Sequence, residues 1–186
     1  MCRYAMHGPY KRHFACFSCR KAFKQPPIID YLAVQGLGYA YAELSRVRHH
    51  AASLERRERE LNMTLDDIES TYRDSTHKCP ECSEPMIDMG LDFKTPRQSD
   101  TKAWRNLHGM YRVGHTFHTC GCDGPGWIPV SSSDYATYLN DRKQQYLDHL
   151  GRTQQSTEMD TEQKRDAANH WESRIAAIDA ELAAVG

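Results

Sequence analysis

Apolar residues recur at helical spacing in two parts of the chain. Leu44, Val47, Ala51, Leu54, Leu61, Leu65, Ile68 and Tyr72 follow one another in steps of three and four, broken only at Glu58. That heptad spacing, sustained over about four repeats, predicts helix with one apolar stripe. A looser apolar start, Ile28, Ile29, Tyr31 and Leu32, precedes it and is interrupted by Gly36-Leu37-Gly38. Thr64-Leu65-Asp66-Asp67 also reads as an N-cap with a capping box, a place where the helix breaks and restarts. The second helical part opens at Ser133, after Pro129. Tyr135, Tyr138, Leu139, Tyr146, Leu147 and Leu150 share one face, and Gly151 suits a C-cap. After the polar link RTQQSTEMD, the heptad steps return at Ala168, Trp171, Ile175, Ile178, Leu182 and Val185. These stripes predict structural core or a coiled coil, the helices pairing with each other or with a second copy of the chain. A shorter helix is expected between Asp100 as cap and Gly114 as stop, with Trp104, Leu107 and Tyr111 on one face, packing on the zinc-bound elements around it.

Composition limits how much core these patterns can bury. Of 186 residues, 39% are hydrophobic and 26% charged, so one large globule is not expected and something must supplement the core. Net charge is −1, but it is unevenly spread. Residues 1–29 carry Arg3, Lys11, Arg12, Arg20, Lys21 and Lys24 and no carboxylate, whereas 152–186 lean acidic. The start, MCRYAMHGPYKRHF, has no apolar leader, and no run approaches the roughly 18 apolar residues of a membrane span. The expected location is the cytoplasm, where thiols stay reduced and close cysteine pairs point to metal.

Six of the seven cysteines fall in close pairs: Cys16-Phe17-Ser18-Cys19, Cys79-Pro80-Glu81-Cys82 and Cys120-Gly121-Cys122. A tight turn aims both sulfurs of a pair at one point, and two such turns clamp one tetrahedral Zn²⁺. In one arrangement Cys16, Cys19, Cys79 and Cys82 form the site, with the helical stretch between them as an insertion. In the other, Cys79 and Cys82 join Cys120 and Cys122. The matching strand-turn-strand flanks of the two C-x-x-C pairs favour the first. Cys120 and Cys122 follow His115 and His118, so a second zinc using His118 is an option, with His13 or His7 as further candidates. The fold class expected is α+β: a small zinc-ribbon-like β module, 1–28 with 78–130, a helical insertion, 29–77, and a C-terminal helical region, 131–186.

The strings FACFSCRKAFK, CPECSEPMIDMGLDFKTP and FHTCGCDGPGWIP together resemble a family of bacterial zinc-ribbon proteins without an established activity. The likeness covers residues 10–26 and 78–130. It implies that the stretch between the first two pairs is a variable insertion, which supports joining Cys16 and Cys19 with Cys79 and Cys82. It also implies that Asp92, Phe93, Lys94, Pro96 and the turn Gly124–Trp127 belong to the shared part. It implies nothing about activity.

Catalytic signatures are missing. The H-x-E that zinc deaminases place before P-C-x-x-C occurs only late, at His170-Trp171-Glu172, and there is no H-E-x-x-H, P-loop or G-x-S-x-G. His108, His115 and Asp92 qualify as catalytic groups by residue type alone. Recognition remains. Around the first knuckle Lys11, Arg12, Phe17, Arg20, Lys21 and Lys24 mix cations for phosphates with an aromatic for a base, which suits nucleic acid, single-stranded RNA above all. The competing expectation is that the phenylalanines form the core of a small ribbon and the chain is an adaptor for a protein assembly, dimerising through its heptad helices.

Overall fold

The computed structural model describes residues 11–118 and 126–185. Two compact units divide it: Met1–Thr95 with Phe117–Gly126, and Pro96–Thr116 with Trp127–Gly186. The architecture is α+β, with a three-stranded antiparallel sheet and seven helices among the described residues. No helix is long and apolar enough to cross a membrane among them.

The first unit begins with a hairpin, β1 (Arg12–Cys16) and β2 (Lys21–Gln25). Cys16 pairs with Lys21, and Phe14 with Phe23, so the first C-x-x-C turn is the hairpin's connection. Four short helices follow: α1 (Ile28–Val34), α2 (Gly38–Val47), α3 (Ala51–Leu61) and α4 (Leu65–Thr76). The strand β3 (Ile87–Gly90) then pairs with β1 on the side away from β2, giving the order β2-β1-β3.

The long heptad stripe is therefore cut into pieces, and the stops are chemical. After α1 the N–H of Gly36 bonds to the Ala33 carbonyl and that of Leu37 to Leu32, with Gly36 at φ 76°. After α3 Asn62 takes φ 53° and donates to Arg59, while Met63 donates to Glu58. Both are the paired six-to-one and five-to-two bonds of a left-handed helix stop. Thr64 then caps α4, its hydroxyl accepting from the Asp67 N–H at 3.0 Å. The stripe residues fold back on one another: Leu44 of α2 and Leu65 and Ile68 of α4 share a core with Leu32 of α1, and Leu54 and Leu61 of α3 pack half-buried against it. The ends of the excursion are pinned together, Tyr72 donating to the Pro26 carbonyl at 2.8 Å and Tyr31 to the Ser75 hydroxyl at 2.7 Å. That closure brings the second cysteine turn back to the first.

Gly90, at the end of β3, adopts φ 93° and pairs with His13 on one side and Phe117 on the other. A Cβ there would lie 2.2 Å from the Phe117 carbonyl oxygen. Gly90→Ala is expected to cost about 2–4 kcal/mol, the sum of a left-handed side-chain penalty and a backbone clash that no rotamer relieves. Urea unfolding measures it, and a loss below about 0.5 kcal/mol contradicts this packing.

The second unit holds α5 (Thr101–Arg112), α6 (Ser132–Gln155) and α7 (Thr161–Val185). Asp100 caps α5 as the sequence predicts, and the chain leaves it at Gly114 with the same paired stop bonds, Gly114 to Tyr111 and His115 to Met110. Within this unit α5 packs on α6 and α7. Tyr146 donates to the Val113 carbonyl at 2.6 Å, and Asn106 to the Pro129 carbonyl at 3.1 Å. Helix α6 differs at both ends from its sequence expectation. Its cap is Ser131, in a reciprocal capping box with Asp134, and it runs through Gly151 to Gln155. A helical glycine costs only about 1 kcal/mol, less than the packing that continues past it. Asp160 caps α7, accepting from the Glu162 and Gln163 N–H groups at 2.9 Å while Gln163 accepts from its own N–H. The heptad stripes of α6 and α7 pack antiparallel within the chain, with Tyr146 on Trp171 and Lys143 paired to Asp179 at 2.6 Å. Leu139 and Ile178 are fully buried.

Candidate metal centre

Both C-x-x-C turns belong to the first unit and share one local conformation. In the first, the Cys19 N–H donates to the Cys16 sulfur at 3.4 Å. In the second, the Ser83 N–H returns to the Cys79 carbonyl at 2.8 Å, and the Cys79 N–H reaches Glu84 at 2.9 Å. The residue after each second cysteine has a positive φ, Arg20 at 53° and Ser83 at 61°. A non-glycine residue in this region costs about 1–2 kcal/mol, so something in the folded state holds both turns there.

The turns bring Cys16, Cys19, Cys79 and Cys82 together, their sulfurs all within 4.8 Å of one another. Across the turns, Cys16 and Cys82 sulfurs stand 3.5 Å apart and Cys79 and Cys19 sulfurs 3.9 Å. A tetrahedron with Zn–S bonds of about 2.3 Å has edges of about 3.8 Å. A disulfide needs about 2.05 Å, and all four thiols are free. The arrangement can hold one metal ion. Among the described residues it is the one cluster of three or more histidine, cysteine or carboxylate ligand atoms able to do so.

Burial and mutual contact set the thiol acidities apart. Contact with the Cys82 thiol, then burial, pushes Cys19 up to about 12. Burial likewise raises Cys16. Burial acts upward on Cys79 too, but the N–H groups of Cys82 and Glu81 and the neighbouring thiols outweigh it and draw Cys79 down to about 7. Four thiolates this close cannot all ionise without a cation among them, and a divalent metal reverses that penalty.

The same packing answers the question of the aromatics. Phe14 is buried with Cys16, Cys79 and Met86, and Phe23 packs half-buried against them, so these two rings are core. His77 stacks on Phe14 at 4.7 Å between centroids. Phe17, on the first turn, is half-buried. Of the cations singled out from the sequence, Lys11 and Lys24 are exposed and Arg20 is half-buried. Arg12 pairs with Asp88 at 2.5 Å, and Lys21 with Glu81. Glu81 and Asp88 are partners that sequence reasoning missed. They lie 60 and 76 residues from their cations, and no local signal marks them.

His118 is exposed and lies outside the four-cysteine cluster. Cys120 and Cys122 fall outside the described residues, as do Cys2 and His7. His13 is half-buried, and burial followed by the nearby Lys24 lowers its pKa. His115 and His108 belong to the second unit, where Arg142 contacts the His115 Nδ1 at 3.1 Å.

No protein-family model, no curated protein and no solved structure matches the chain. What the structure supports of the resemblance to bacterial zinc-ribbon proteins is the four-cysteine cluster, consistent with a zinc-ribbon-like site.

Proposed function

We propose that the chain is a zinc-stabilised recognition module whose metal-held hairpin binds single-stranded RNA. The observation that carries the zinc is the pair of sulfur separations across the two turns, 3.5 and 3.9 Å, which bracket the edge of a tetrahedral zinc tetrathiolate. Four thiolates in a tetrahedron select zinc over oxygen-preferring cations. A reduced, metal-loaded set belongs in the cytoplasm, which is part of the same proposal.

The RNA surface consists of Lys11, Arg12, Phe17, Arg20, Lys21 and Lys24 around the first turn. The ion pairs of Arg12 and Lys21 do not remove them from it. Their side chains stay 55% and 38% exposed, and surface pairs of this kind are worth about 0–1 kcal/mol, readily exchanged for a phosphate. With Phe14 and Phe23 in the core, stacking falls to Phe17.

The test is fluorescence anisotropy of the zinc-loaded protein with labelled single-stranded RNA and duplex DNA at low and near-physiological salt. Expected are a preference for RNA and a steep salt dependence. Lys11→Gln with Lys24→Gln is expected to lower the slope of log K against log salt by roughly one per lost phosphate contact. No binding at low salt overturns the RNA reading. A protein partner is then the alternative. It is favoured by the exposed apolar side chains of Ile29, Val34 and Tyr39, 48%, 86% and 68% accessible, on α1 and α2.

A further inference from the structure

The four sulfurs of the cluster differ in what can reach them. Cys16 and Cys79 are 1% and 2% exposed and Cys19 is half-buried, whereas Cys82 is exposed. The difference follows from position. Cys16 ends β1, and Cys79 packs with Phe14 and Met86, but Cys82 lies in a run, 80–85, that is exposed throughout. Its neighbour across the turns is the buried Cys16, sulfur to sulfur at 3.5 Å, and the other pair across the turns, Cys19 and Cys79, stands at 3.9 Å. Two ion pairs hold the turns in this register. Lys21, just after the first turn, pairs with Glu81 inside the second, and Arg12 of β1 pairs with Asp88 of β3. An accessible sulfur in contact with a sheltered one is the arrangement of a cysteine that meets an oxidant and a second that resolves the product.

We propose that Cys82 is a site of oxidation by hydrogen peroxide and that Cys16 resolves it, so that a disulfide across the two turns takes over the joint that the metal makes. The inference rests on the zinc reading above, because a thiol that coordinates a divalent cation is deprotonated outright and is thereby a nucleophile.

The Cys82 sulfur attacks one peroxide oxygen. The O–O bond breaks, hydroxide leaves, and Cys82 becomes a sulfenic acid. The Cys16 sulfur then attacks the Cys82 sulfur, the S–O bond breaks, a second hydroxide leaves, and the Cys16–Cys82 disulfide forms. The two thiolates together give up two electrons, peroxide accepts them, and two protons from solvent turn both hydroxides into water. The site has then lost two of its four ligands, and the ion is released. The new bond joins residue 16 of the first turn to residue 82 of the second, so the turns stay together without metal. A thiol reductant reverses the change.

To test this, the zinc-loaded full-length protein is treated with hydrogen peroxide, and zinc release is followed with a coloured chelator. Remaining thiols are alkylated before unreduced peptide mapping by mass spectrometry. Expected is a peptide pair joined through Cys16 and Cys82 that accumulates in step with zinc release, and dithiothreitol with fresh zinc should restore the starting state. Dimedone, which traps sulfenic acids, should when present in excess label Cys82 about tenfold more than Cys16, Cys19 or Cys79. The oxidised, metal-free chain should exchange amide hydrogens across β1–β3 more slowly than the reduced chain treated with chelator. The proposal is overturned if links within a turn, Cys16–Cys19 or Cys79–Cys82, predominate among the four. It is equally overturned if dimedone labels the four alike, or if exchange in the oxidised chain is as fast as in the chelated one. Zinc content of the untreated chain is measured first. A chain that takes up no zinc counts against the zinc reading itself, and the peptide map then still decides whether Cys82 and Cys16 join.

Discussion

Cys79→Ser is expected to abolish metal binding and melt the sheet β1–β3, while α6 and α7 keep their helical structure. Cys79 is 2% exposed and packs in a cluster with buried Phe14, Cys16 and Met86, with Phe23 and Cys19 at its edge. The apolar side chains packed around the four cysteines contribute a few kcal/mol at about 25 cal/mol per Å², too little to hold both cysteine turns by themselves. Structural zinc supplies apparent free energies of about 10–16 kcal/mol in small zinc domains, comparable to the whole stability of a typical protein. A serine hydroxyl cannot replace the thiolate at neutral pH, so most of that contribution goes. Amide hydrogen exchange should accelerate across β1–β3 and stay slow in α6 and α7. A chelator added to the unaltered chain should produce the same pattern. Retention of metal and an unchanged melting temperature in the mutant would show that these cysteines do not hold the ion. Acid should act in the same direction. With Cys19 pushed up to about 12 and Cys16 raised by burial, these two thiols are protonated at neutral pH in the metal-free chain. Metal uptake then releases protons, so affinity rises with pH and falls as pH is lowered.

Gly109→Ala is expected to destabilise the second unit by about 2–4 kcal/mol, although alanine is the better helix former by about 1 kcal/mol. A Cβ at Gly109 would lie 1.8 Å from the Tyr135 hydroxyl and 2.5 Å from Glu181 Oε2. Neither can step aside cheaply. Tyr135 is fully buried, and its hydroxyl donates to Glu181 at 3.0 Å. Glu181 is a buried carboxylate paired with Arg112. Displacing the tyrosine leaves a buried charge with one partner fewer, which costs more than the propensity returns. Gly151 offers a control on the same helical hairpin. Nothing lies within 4 Å of its would-be Cβ, so Gly151→Ala should stabilise by about 0.5–1 kcal/mol. Urea unfolding of the two variants should move in opposite directions. Parallel shifts would mean that α5 does not approach α6 and α7 as described.

Some elements were legible because their signals are local. Each C-x-x-C turn and the start of α5 at Asp100 depend on residues within a few positions of one another, as does the break before α4, with its cap at Thr64. The stop itself falls at Asn62, which the sequence reading did not single out, and asparagine tolerates the left-handed conformation it takes there. The start of α6 was misplaced at Ser133, two residues past its cap at Ser131. Only Ser131 has an acidic residue at the third position after it, Asp134, able to return the hydrogen bond.

The heptad stripe shows where the misreading arises. Steps of three and four say that residues share a face if the helix is continuous. They do not say that it is, and no glycine or proline marks the break at residues 48–50 between α2 and α3. The ion pairs of Arg12 and Lys21 were out of reach for a related reason, since a charge carries no record of a partner 60 or more residues away.

By itself, then, the sequence determined which residues can bind a metal, where most helices start and which of their faces are apolar, because bond geometry, capping and periodicity act over a few residues. Tertiary structure alone decided that Cys16 and Cys19 meet Cys79 and Cys82, that α5 packs with α6 and α7, and which cations and aromatics the sheet leaves exposed. Those outcomes depend on how the chain between β2 and the second turn closes on itself, through Tyr72 on Pro26 and Tyr31 on Ser75, and on which apolar faces find each other. Both are contacts between distant residues, selected by the free energy of the whole fold rather than by any local pattern.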